Sequence, residues 1–216
     1  MSVIHAKEVS VGEGNHYLFP SPFVWWKKIP EHEQLKKKYM PLILNDIDVN
    51  GSYYNQKNTW DCKVTSSFFN EDVYSVHIFD TTFHEKVIWN PLDQMISELN
   101  KSYNLPVPNK SSLLHVWYNK YEHLNWQEVH NHCPLDDHQT FSGIYILDLD
   151  SKNPTGFVRQ QELRCFSTYS MHHLDTKNLS EGHVIIFPGE LMHYVNPNLG
   201  KNRLTVSFNI VSNYEQ

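Results

Sequence analysis

The chain has 216 residues, 40% of them hydrophobic, 13% aromatic and 19% charged, a balance that allows a substantial core in one domain and excludes a disordered protein. A formal net charge of -6 argues against a strong non-specific binder of nucleic acid. The separated cysteines Cys62, Cys133 and Cys165 suit free thiols in a reducing compartment, and with no apolar run near the roughly 20 residues of a membrane span and no signal-like start, the reading is cytoplasmic.

In chain order, the aromatic segment Tyr17–Trp26 carries two prolines that favour extended backbone, so an edge strand is expected there. Glu31 to Asn45 places Leu35, Tyr39, Leu42 and Ile43 at helical spacing, with Pro41 expected to end or kink the helix. A second helix is expected over Pro91–Tyr103, where proline suits the first turn and Leu92, Met95, Ile96 and Leu99 form one apolar stripe.

From Ser111 the texture changes to short β-branched and aromatic runs, at Leu113–Tyr121, Phe141–Leu149, Gly156–Gln161, Gly182–Phe187 and Arg203–Ile210. Turn-rich segments such as Asp150–Gly156 and Asn196–Gly200 separate them, the signature of a sandwich or barrel. The expected architecture is therefore one domain, mainly β with N-terminal helices, in which a helix-containing part (1–110) is laid against a β-core (111–216).

Fourteen histidines make metal chemistry the question to ask, and position must select among them. In Val129-His130-Asn131-His132, residues at i and i+2 of a strand share a face, so the imidazoles of His130 and His132 can converge. Far downstream, the run Gly182–His193 leads from a strand through a turn to a third histidine, and two ligands at one strand end plus a distant one is how a barrel mouth assembles a facial metal site with open positions. In the last strand Arg203, Thr205 and Ser207 alternate onto one face, opposite Leu204, Val206 and Phe208; an inward arginine wants a carboxylate.

Together, His130-x-His132, His193 and Arg203-x-Thr205 resemble the HxD/E…H…RxS core of the iron(II)/2-oxoglutarate-dependent dioxygenases, whose fold is the double-stranded β-helix (jelly roll, cupin-like). Trp117-Tyr-Asn119-Lys-Tyr121 resembles the Asn-x-Tyr pair that precedes HxD in the nucleic-acid and protein demethylase branch. The wider layout, including Leu18–Pro22, Trp60–Ser67, Ser142-Gly143 and Phe187-Pro188, is similar to iron/2-oxoglutarate oxygenases abundant in marine phages and bacteria.

The resemblance implies His130, His132 and His193 as ligands of Fe(II), with Arg203 and Thr205 holding the far carboxylate of 2-oxoglutarate and Asn119, Tyr121 and Tyr145 as further co-substrate contacts. It implies a hydroxylase that uses O2 and couples decarboxylation of 2-oxoglutarate to succinate with oxidation of a second substrate, a small molecule or a protein side chain. The location implied is the host cytoplasm if the chain is phage-encoded, and a homo-oligomer is compatible with the sequence.

One departure stands out: the family's second ligand is usually a carboxylate, and position 132 is histidine. Either His132 ligates, as in three-histidine dioxygenases that need no 2-oxoglutarate, or Asp136 or Asp137 swings in from the loop. A non-catalytic metal-binding jelly-roll module is the third reading.

The remaining candidates have blander readings. His172-His173 is read as a loop feature and not as a metal pair, because neighbouring residues on a strand point to opposite faces and shared ligation would be strained. His115, His123, His138 and His183 are read as structural or surface residues, and most of the tryptophans as core.

Overall fold

The computed structural model describes residues 23–60, 62–69, 78–103, 107–132, 140–163, 168–176 and 178–213. The chain opens with strand β1 (Trp25–Lys28), helix α1 (His32–Lys57) and the two-residue strand β2 (Thr65–Ser66). A short helix α2 (Thr81–Phe83) runs through a π-helical stretch, His84–Trp89, into α3 (Asn90–Tyr103). Eight strands follow: β3 (Lys110–Glu122), β4 (Gln127–His130), β5 (Phe141–Leu149), β6 (Thr155–Leu163), β7 (Thr168–Asp175), β8 (His183–Pro188), β9 (His193–Val195) and β10 (Asn202–Asn213).

All strand pairs are antiparallel, in a six-stranded sheet of order β1-β8-β5-β10-β3-β2 and a four-stranded sheet of order β4-β9-β6-β7. Between β3 and β10 the chain passes back and forth between the two sheets, which is the eight-strand order of a double-stranded β-helix, or jelly roll. β1 takes the outer edge of the larger sheet, and the rest of the Tyr17–Trp26 segment lies outside the described residues apart from residues 23 and 24.

The alternation of β10 divides the larger sheet into two chemistries. Leu204, Val206, Phe208 and Ile210 join Tyr39, Ile43, Leu92 and Met95 of the helices in one buried cluster on the outer face. Each such large side chain, fully buried, stabilises the fold by about 1.5–3 kcal/mol, so the helices hold the sheet rigid from behind. On the inner face a second cluster, including Ile144, Ile146, Phe157 and Phe187, fills one end of the space between the sheets and leaves the other end open. Gly143 lies beside Phe208 across the β5–β10 pair, and a Cβ there would come within 2.1 Å of that ring, so the sheet tolerates no larger residue at this point.

Three local expectations are corrected. α1 continues to Lys57 past Pro41, because buried positions recur at Leu35, Tyr39, Ile43, Asp46, Gly51 and Tyr54 while Pro41 sits on the exposed side, where its missing hydrogen bond faces water. The helical region before α3 begins at Thr81, capped by the Asp80 side chain, which accepts from the Phe83 amide at 3.2 Å. His172 and His173 lie in β7, paired with Arg159 and Val158 of β6, and not in a loop.

Candidate metal centre

The open end between the sheets is a cavity of about 530 Å³. Its rim is built by β4 and β9, which pair so that His130 lies directly opposite His193. His132 follows two residues after the end of β4, where its backbone amide donates to the Gly189 carbonyl at 3.0 Å. One ring nitrogen from each of the three histidines lies within 4.8 Å of the other two.

The hydrogen bonds select which nitrogen faces the shared point. His130 Nδ1 donates to the Glu128 carbonyl at 2.8 Å and His193 Nδ1 to the Leu191 carbonyl at 3.1 Å; carbonyls only accept, so both rings carry their proton on Nδ1 and their lone pair on Nε2. His132 Nδ1 meets Asn209 Oδ1 at 2.9 Å, and that oxygen also accepts from Ser142 Oγ at 2.9 Å. Outer partners of this kind fix tautomer and ring orientation in metal centres.

Burial lowers the basicity of all three rings. It lowers the His130 imidazole, holds His132 down at about 3 with help from the neighbouring His130, and keeps His193 well below the usual histidine range. At neutral pH the set is therefore three uncharged imidazoles, the protonation state a divalent transition metal requires and a donor type that suits iron, zinc, copper and nickel. Asp136 and Asp137 lie outside the described residues.

Arg203, Thr205, Ser207 and Asn209 of β10 line the floor. Arg203 is 1% exposed; its Nη2 donates to Thr155 Oγ1 at 2.7 Å, while Nε and Nη1 have no partner among the described residues. Its guanidinium carbon lies 4.5 Å from the centre of the Tyr121 ring, a cation–π contact. Leaving two donors of a buried cation unsatisfied costs several kcal/mol unless an anion takes them, and burial already presses against its charge.

Asn119 and Tyr121 reach the same cavity from β3. The Asn119 amide is held at both ends, accepting from Ser66 Oγ at 2.6 Å and donating to Ser207 Oγ at 3.1 Å. Tyr121 donates to Gln127 Oε1 at 2.6 Å, and burial pushes its hydroxyl up to about 12, so it remains a phenol. Trp60, Phe68 and Trp117 form an aromatic wall: Trp60 stacks on Phe68 at 5.3 Å between ring centres and lies nearly parallel to His130 at 6.4 Å.

Tyr145 is not brought to this cavity. Ile144 lines it, and its neighbour Tyr145 points to the opposite face of β5, into the helix-covered cluster, where its hydroxyl lies 2.7 Å from His32 Nδ1. His123 and His183 bond to nearby carbonyls, of Gly200 and Ser180, whereas His115 lines the cavity. Sequence reasoning gave no site role to Glu128, Gln127, Asn209 or Ser142, the last named only within the wider layout; for Asn209 the strand parity it shares with Arg203 is the available signal, whereas the register shift of β4 between Gln127 and His130 removes such a signal for Glu128.

No family model and no curated protein matches the chain. Solved structures do. A prolyl-4-hydroxylase of Pseudomonas putida aligns with 10% identity over 89% of this chain and 93% of its own, at a TM-score of 0.47. The viral collagen prolyl hydroxylase of Paramecium bursaria Chlorella virus-1, solved with 2-oxoglutarate, aligns with 13% identity over 86% of this chain and 94% of its own, at 0.44. AviO1 of Streptomyces viridochromogenes aligns with 11% identity over 85% of this chain and 86% of its own, at 0.49.

Proposed function

We propose that the protein is an Fe(II)/2-oxoglutarate-dependent oxygenase, acting as a hydroxylase on a second substrate. The observation that carries this reading is the presence, in one cavity, of three convergent neutral imidazoles and a buried guanidinium with two unused donors. His130, His132 and His193 would hold the iron, and Arg203 the far carboxylate of 2-oxoglutarate. Iron(II) held there would supply the activation of O2 that such a reaction needs, with 2-oxoglutarate converted to succinate and carbon dioxide and the second substrate oxidised.

The chain's own groups bind, orient and shield. Arg203 offers Nε and Nη1 to a carboxylate, with Thr205 beside it on the same face of β10 and the Tyr121 ring beneath it. Asn119 and Tyr121 keep that floor in place through Ser66, Ser207 and Gln127. The aromatic wall of Trp60, Phe68 and Trp117 borders the cavity on the β3 side of β10. The helical part and the β-helix would work as one domain in the cytoplasm; among the described residues no helix is long and apolar enough to cross a membrane.

A second reading is favoured by one observation: the residue at position 132 is a histidine fixed by Asn209 and Ser142, where a carboxylate would be the more usual second ligand. A three-histidine iron dioxygenase that adds O2 directly to its substrate would have such a set. The two separate in one experiment, anaerobic reconstitution with iron(II) followed by titration of 2-oxoglutarate. The oxygenase reading expects a saturable visible absorption band of the chelated keto acid; stoichiometric iron with no band would leave the direct dioxygenase as the better account.

A further inference from the structure

Arg203 is not the only charged group that the cavity leaves unused. Glu128 lies on β4 two residues before His130, in the segment where the β4–β9 register shifts, and it lines the cavity. Its Oε2 is buried and has no hydrogen-bond partner among the described residues. A buried carboxylate oxygen without a donor is costly, and no ion pair among the described residues joins Glu128 to Arg203 although both face one cavity.

We infer that Glu128 is the specificity-determining residue for the second substrate, which presents a protonated amine or guanidinium to Glu128 Oε2. This rests on the oxygenase reading for the word substrate, but the charge argument is independent of it. A dicarboxylate co-substrate is drawn to Arg203 and repelled by Glu128, so the acidic side of the cavity is left to a partner of opposite sign. Glu128 is also the one carboxylate in the described lining. The Trp60 and Phe68 faces in the same cavity are the surfaces that attract a desolvated cation. A cavity of about 530 Å³ is in the range for a ligand of small-molecule or single-side-chain size.

Calorimetry on the anaerobic protein loaded with iron(II) and 2-oxoglutarate tests this. The probes are L-arginine and L-lysine, the same residues in peptides blocked at both ends, and citrulline and norleucine in both forms as neutral counterparts. A probe that carries the recognised cation, on its side chain or as a free α-amine, should bind about tenfold tighter than the counterpart that lacks it, the scale of a charge-assisted hydrogen bond. Preference that survives blocking assigns a basic side chain, whereas free amino acids that bind alike whatever their side chain, and tighter than all of their blocked forms, assign an α-amine. Glu128→Gln should erase the preference, Glu128→Asp should retain part of it, and neither should weaken 2-oxoglutarate binding, since removing or keeping a negative charge there does not touch Arg203. Equal binding of cationic and neutral blocked probes with the free amino acids no tighter than their blocked forms, no binding of any probe at millimolar concentration, or an undiminished preference in Glu128→Gln overturns the inference. If 2-oxoglutarate itself fails to bind, the oxygenase reading falls, and the same titrations with iron(II) alone still decide the role of Glu128.

Discussion

His130 and His193 are directly opposed residues of the antiparallel β4–β9 pair, with ring centres 4.2 Å apart. The pairing register thus sets the ligand geometry, because a slip of one residue would turn one imidazole to the other side of the sheet. His193 is 2% exposed and sits nearest the core of the three, packed against Phe157 and Phe187 at 5.9 and 4.9 Å.

His193→Ala is therefore expected to abolish stoichiometric iron binding. Two imidazoles alone leave a divalent ion too few ligands for retention. Metal content after anaerobic reconstitution and desalting measures this, and a variant that keeps one iron per chain removes His193 from the ligand set.

Arg203→Ala should leave the metal in place and weaken 2-oxoglutarate by at least about thirtyfold, since truncating one partner of a buried charge pair costs roughly 2–5 kcal/mol. The Tyr121 ring would also lose its cation–π partner. The 2-oxoglutarate concentration that half-saturates the iron-bound protein is the quantity to follow; an unchanged value would show that the unpartnered Nε and Nη1 serve another anion.

Asn209→Ala removes the acceptor of the His132 Nδ1 proton and of the Ser142 hydroxyl. Loss of such an outer partner typically costs 10- to 100-fold in metal affinity, about the range expected here. Competition with a chelator reads it directly. Wild-type affinity would mean that His132 is not held for metal binding, and attention would pass to Asp136 and Asp137.

These residues also show where sequence reading reaches its limit. From Arg203 to Ile210 of β10 polar and apolar residues alternate, so the parity that puts Arg203, Thr205 and Asn209 on one face is visible in the letters themselves. β5 is buried on both faces, against the helices and against the smaller sheet, so its run Phe141–Leu147 carries no alternation and cannot say which way Tyr145 points. The partnership of His130 with His193 is a long-range register that no local pattern encodes. Pro41 misleads for the opposite reason: a strong local signal is overridden by a buried stripe that runs on to Tyr54.

Tyr145→Phe separates the two possible roles of that tyrosine. The hydroxyl is buried against His32 Nδ1 at 2.7 Å, so its removal leaves a ring nitrogen without a partner and should destabilise the fold by about 1–3 kcal/mol. Half-saturation by 2-oxoglutarate should not move, because the ring lies on the far side of the sheet. Denaturant unfolding and the co-substrate titration, run on the same variant, must give these two different answers; a loss of co-substrate affinity at unchanged stability would return Tyr145 to the site.

The same His32 joins a charged seam that couples helix α1 to the sheet and that acid should open. Glu181 accepts from His32 Nε2 at 3.0 Å, pairs with Lys36 at 2.8 Å and accepts from the Leu149 amide at 3.1 Å. Burial by itself raises the Glu181 carboxyl, but the hydrogen bonds from Lys36, His32 and Leu149 outweigh it and hold the group down at about 2. Because it ionises at lower pH in the folded chain than at the ordinary value of 4.5, its contribution is complete above that value and is lost as pH falls from there towards about 2. The side chain is 25% exposed, so solvent screens the seam and the contribution is about 1 kcal/mol. Glu181→Gln should therefore be less stable than the wild type at pH 6, with the gap closing as pH falls through this window. A gap that stays constant down to the acid transition would show that the seam holds α1 by shape alone.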